Sequence, residues 1–360
     1  MSRPSFAALV SVIATVCLSA APASPQSQSR SAADTTSAGS VPRTPDGRPD
    51  LQGLWTTQTF TLLERPDHLA GKEFFTAEEV AALNQQLTAE GVDPSARDAI
   101  NIADPEAREK RLYQTNREPG YIHYDNNMWL RTSVPKGLTS RRTSLITDPK
   151  DGKLPPLTQE AARRAAAEAE ASRKPSAFDS YETRPLPERC IAWAHEGPPI
   201  LPPAYNDIHQ IFQTRDYVVV NTELRTHPPR IIPLDGRSHL AQGIRQWLGD
   251  SRGRWDGNTL IVETTNFTDR VKDTGLTVFG IGQNARLVER FTRVDAETID
   301  YQITVNDPGV FTRPWTAAIP MTRIKGPLFE YACHEGNYGL EDILKGARTR
   351  EKTATKTGSR

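Results

Sequence analysis

From about residue 205 to residue 333 the chain alternates apolar and polar positions in short runs, each cut by Gly, Pro, Asn or Asp. A period of two is that of a strand with one buried face. Strands are expected at 208–213, 217–223, 230–234, 259–265, 286–293, 298–305, 315–321 and 329–333, with a further one at 143–147. Asp-Gly pairs stand at Asp46-Gly47, Asp151-Gly152, Asp235-Gly236 and Asp256-Gly257. Three of them sit beside strand-like runs, which is a hairpin signal because Gly accepts the positive φ of tight turns. Little room is left for helices. The pattern predicts a mainly β fold, an antiparallel barrel or sandwich of lipocalin-like shape, with a few peripheral helices.

Two helical insertions interrupt the first half. Thr76 followed by Glu79 is a capping box, and Val80, Leu83 and Leu87 recur at helical spacing after it, so a helix is expected near 76–90. The stretch 158–172 is rich in Ala, Glu and Arg but almost free of large apolar residues, which suits a surface helix or arm. Residues 174–204 carry many prolines and read as a loop crossing the barrel mouth. No internal repeat is present, and residues 44–350 are expected to form a single β-rich domain.

The first 23 residues change the expected location. A basic Arg3, an apolar run from Phe6 to about Ala20 and the small residues Ala21-Pro22-Ala23 make a secretory signal peptide, too short to span a bilayer, which takes roughly 20 apolar residues. The mature protein is therefore expected in the periplasm or secreted, with no membrane span. Residues 24–43 are polar enough to be a disordered linker, and residues 351–360 a flexible tail. Cleavage removes Arg3 and no acid, so Lys+Arg falls from 44 to 43 against 44 Asp+Glu. A charge near −1 gives no basic field for nucleic acid. It also leaves two cysteines, Cys190 and Cys333, which form a disulfide or remain two buried thiols.

The candidate chemistry is dispersed. Gly249-Asp250-Ser251-Arg252-Gly253 fits G-x-S-x-G, but a strand follows where a nucleophile elbow needs a helix, so it reads as a turn. His195-Glu196-Gly197 and His334-Glu335-Gly336 do not extend to H-E-x-x-H, and the spacing of the seven histidines predicts no metal site. No Gly-rich phosphate or dinucleotide loop appears, and no cofactor is expected. Leu287, Glu289 and Phe291 share one strand face, as do Ile261, Glu263 and Thr265. Apolar walls broken by Glu, His and Arg are what a small-molecule pocket requires.

The runs RIIPLDGRSHL, IRQWLGDSRGRWDGNTLIVETTNF, LVERFTRVD, TRPWT and FEYACHEGNYGL, with TPDGRPDLQGLW and RRTSLITDPKDGKLPPLT before them, cover most of the mature chain. In them the sequence resembles a large family of exported bacterial proteins to which no reaction is assigned. The resemblance implies an exported bacterial protein and carries over no site.

The residues themselves point first to an exported enzyme that moves protons on a small, largely apolar molecule, as a lyase, isomerase or hydratase. His227, Glu263, His334 and Glu335 are the candidate acids and bases. Arg245 and Arg313 would hold an anionic group, with Tyr205, Trp247 and Trp315 as further substrate-binding residues. A non-catalytic small-ligand-binding protein and a structural envelope protein are the alternatives; the oligomeric state is open.

Overall fold

The computed structural model describes residues 41–89, 92, 96–114, 137–193, 196–202, 208–223, 225–268 and 281–357. The expected signal peptide and most of the expected linker lie outside them. So do His195 and Tyr205. Ten strands form one antiparallel sheet: β1 (Gly53–Thr56), β2 (Ile146–Asp148), β3 (Ile208–Gln213), β4 (Tyr217–Thr222), β5 (Arg230–Pro233), β6 (Asp250–Asp256), β7 (Thr259–Thr265), β8 (Arg286–Arg293), β9 (Thr298–Asn306) and β10 (Trp315–Ile324). Their order is β5-β4-β3-β1-β10-β9-β8-β7-β6. The four-residue β1 covers only the end of β10, from Thr322 to Ile324, and β2 pairs Thr316 and Ala317 on the same strand.

The sheet curls into a nearly closed barrel, its two end strands β5 and β6 packed side by side. Gly253 makes that approach possible, because a Cβ there would lie 2.6 Å from Leu234 Cδ2 and 2.9 Å from Ile232 Cγ2. Strands β9 and β10 show why the barrel forms. Ile299, Tyr301, Ile303 and Val305 on one, and Trp315, Ala317, Ile319 and Met321 on the other, alternate into the core and are fully buried. Burying each large side chain contributes about 1.5–3 kcal/mol. Together with Trp55 and Phe291 they fill the interior.

A second core joins Phe60, Phe75, Leu112 and Leu138 to two helices, α1 (Ala77–Leu87) and α2 (Pro105–Gln114). The capping box opens α1: Thr76 Oγ1 accepts from Glu79 N at 3.2 Å, and Glu79 Oε2 accepts from Thr76 N at 2.8 Å. Helix α3 (Gln159–Arg173) is capped by Thr158 and buries only Ala161. Among the described residues, no helix is long and apolar enough to cross a membrane.

Three local expectations are corrected. Residues 329–333 are not a strand. Strand β10 runs on to Ile324; Gly326 at φ +84° and Pro327, which lacks an N–H, then end the ladder. The Phe329 amide donates instead to Glu223 Oε1 at 3.0 Å. The Gly-Asp-Ser-Arg-Gly run is not a turn: from Asp250 it is the start of β6. Residues 351–357, expected as tail, continue helix α4 (Tyr338–Thr357), which docks through Arg348 Nη2 on Phe178 O at 3.0 Å.

Cys190 and Cys333 are disulfide-bonded, their Cα atoms 5.6 Å apart and 143 residues apart in sequence. The bridge ties the Pro-rich segment to the turn before α4. Further along that segment, Ile200 and Leu201 pack into the barrel core.

Candidate functional site

The barrel interior holds a buried charged pair. Glu289 lies between Leu287 and Phe291 on the inner face of β8, as the period of two predicts, and is fully buried. Arg230, the first residue of β5, crosses the barrel seam to meet it. Its Nη1 donates to Glu289 Oε1 at 2.9 Å and its Nη2 to Oε2. Its Nε donates to Ser251 Oγ on β6 at 2.9 Å, and its Nη2 also donates to Thr264 Oγ1 on β7 at 3.0 Å. Tyr301 OH donates to Glu289 Oε1 at 3.0 Å and accepts from Ile200 N at 3.0 Å. Burial holds the Tyr301 phenol well above its ordinary pKa, and the Glu289 charge adds to the effect. Hydrogen bonds link the five side chains, so this network joins β5 to β9 and fixes the Ile200 segment against the barrel core.

A second carboxylate sits beside that segment with a histidine left partly open. Glu196 Oε2 accepts from His227 Nδ1 at 3.0 Å and from His227 N at 3.1 Å. Its Oε1 accepts from Trp193 N at 2.9 Å and Thr226 Oγ1 at 2.5 Å. Burial pushes the Glu196 carboxyl up, but the hydrogen bonds from His227 and Thr226 more than reverse this and leave it below the usual range. An ionised carboxylate only accepts, so the proton of a neutral His227 belongs on Nδ1 and the lone pair on Nε2. The Glu196 side chain is 2% exposed and that of His227 17%. The Trp247 ring centroid lies 6.2 Å from the imidazole. Thr226 Oγ1 also lies 3.0 Å from Ile191 O, beside the disulfide residue Cys190. The staple thus anchors the loop that presents Glu196.

The other expected site residues do not converge on His227. Glu263 faces outward on β7, half-buried, paired with Arg286 and 3.8 Å from His239 Nε2. The hydrogen bond from Arg286 lowers its carboxyl against a smaller effect of burial, with the charges of Arg286 and His239 adding. His334 and Glu335 are exposed in the turn before α4. Arg245 is exposed and donates to Gln283 O at 2.6 Å. Arg313 pairs on the surface with Asp148 at 2.8 Å. Trp315 is fully buried against Phe311, at 6.0 Å and edge-on. His227 and Trp247 are the pair that the fold does bring together.

Glu196 as the partner of His227, and Arg230, Ser251, Thr264 and Tyr301 as the partners around Glu289, come together from distant parts of the chain and carry no local sequence signal. Among the described residues, no group of three or more His, Cys, Asp or Glu side chains is arranged to hold a metal ion. In comparison with known proteins, no family model, no curated protein and no solved structure matches the chain.

Proposed function

We propose that the protein is an exported bacterial enzyme that transfers a proton on a small, largely apolar molecule, as a lyase, isomerase or hydratase. His227 is the catalytic acid–base group and Glu196 its positioning residue. The observation that carries this reading is the 3.0 Å bond from His227 Nδ1 to Glu196 Oε2. It orients the ring, sets the tautomer and leaves Nε2 to take a proton and return it. Trp247 supplies an apolar wall beside the imidazole. Export fits the leader-like N-terminus and a disulfide of the kind that persists in an oxidising compartment.

The test is incubation of the disulfide-bonded protein in D2O with a panel of small aromatic and terpenoid alcohols, ketones and acids, followed by proton NMR. Deuterium uptake or conversion of a panel member is the expected result. Saturable binding without either favours a second reading, a small-ligand-binding protein. That reading has one observation of its own, a cavity of about 630 Å³ beside α1 and α2 lined in part by Leu69, Phe75, Leu83, Ile100 and Tyr113.

A further inference from the structure

The outer wall of the barrel carries a cationic cleft that shares no residue with the Glu196–His227 pair. Its volume is about 500 Å³, and five arginines line it: Arg237, Arg252, Arg254, Arg286 and Arg290. Three are paired, Arg237 with Asp235, Arg252 with Asp250 and Arg286 with Glu263. His239 is held between two of those acids, its Nδ1 3.0 Å from Asp250 Oδ2. Five arginines against three carboxylates leave two positive charges. Arg254 and Arg290 are exposed, and neither makes a side-chain hydrogen bond or a close ion pair among the described residues; Arg254 acts on Glu263 only through longer-range attraction.

The strand register places these two arginines together. Arg254 on β6 pairs with Ile261 on β7, and Ile261 pairs with Arg290 on β8. Two strand spacings separate their Cα atoms by about 10 Å, a span from which two long side chains can converge on one group. Between them, Ile261 is on the outward face yet only 7% exposed, and Val288 lies in the same cleft. The cleft therefore offers two planar cationic forks above an apolar floor. A guanidinium matches a carboxylate or phosphate bidentately, and an apolar floor matches a flat hydrocarbon body.

We infer that this cleft binds a small aryl anion, its carboxylate or phosphate bridging Arg254 and Arg290 and its ring resting on Ile261 and Val288. The test is calorimetric titration of the disulfide-bonded protein at low salt with phenyl phosphate, benzoate and inorganic phosphate. Saturable binding of at least one aryl anion is expected, the tighter of the two naming the headgroup. Each of Arg254→Gln and Arg290→Gln should weaken it about tenfold. Inorganic phosphate should bind about tenfold more weakly than phenyl phosphate, because it leaves the floor uncovered. Neither variant should shift the thermal midpoint, since neither side chain has a close partner to lose. Absence of saturable aryl-anion binding, unchanged affinity in the double variant, or inorganic phosphate binding as tightly as phenyl phosphate would each overturn the inference.

Discussion

Glu196 Oε2 accepts both the ring Nδ1 and the backbone N–H of His227, at 3.0 and 3.1 Å. One carboxylate oxygen thus fixes both the position and the tautomer of the imidazole. Replacing Glu196 by Gln keeps the size and removes the charge. The amide must then present its oxygen to His227 while its NH2 group faces Trp193 N and Thr226. A loss of about 1–3 kcal/mol is expected in urea unfolding. Nitrogen NMR of the histidine ring should still show the Nδ1–H tautomer, because the amide oxygen accepts from it as the carboxylate does.

The same carboxylate gives a pH dependence with a definite sign. Its folded pKa lies below the ordinary value. The stability it contributes is therefore complete above the unfolded pKa, near 4.3 for Glu, and is lost as pH falls through the folded value. Denaturant midpoints of wild type and Glu196→Gln should converge as the pH is lowered from 6 towards 3. A gap that does not narrow would place the effect in packing.

The Arg230–Glu289 pair is predicted to be structural. Glu289→Ala leaves the Arg230 guanidinium buried without its counterion, at a cost of about 3–5 kcal/mol. The double variant Arg230→Met with Glu289→Leu removes both charges, and it should be much less destabilised than the single change. Urea midpoints of the three proteins decide this. Equal losses would show that the pair does not act as a unit.

The Cys190–Cys333 bridge closes a long loop, and the chain-entropy model assigns such a closure about 4–5 kcal/mol. Because Glu196 lies six residues after Cys190 on the same segment, reduction should loosen Glu196 as well as lower the melting temperature. The denatured intact mass should be two hydrogens below that of the reduced protein. In the Cys190→Ser, Cys333→Ser variant the His227 ring signals should broaden.

What the sequence made legible follows from periodicity and what it hid follows from distance. Strands β8, β9 and β10 bury one face, so their alternation was visible, and it placed Glu289 inward. The capping box at Thr76 and Glu79 is local chemistry, readable within four residues. Strand β6 was masked because its inward positions Ser251 and Gly253 are polar or small, chosen for Arg230 and for the close approach of β5 rather than for hydrophobicity. Helix α4 was masked by its charges and by burying little beyond Ala347. The pairing of Arg230 with Glu289 spans 59 residues and that of Glu196 with His227 spans 31, so no short motif encodes either. In the HEG run at 195–197 it is the glutamate that makes the contact.

The proton-transfer role of His227 is tested most directly by comparing wild type with His227→Gln on whichever panel compound the wild type converts, at equal protein concentration and with matched thermal midpoints. A rate lower by about 10²–10⁴-fold is expected in His227→Gln, with the compound still bound. An unchanged rate would rule out His227 as the proton-transfer group.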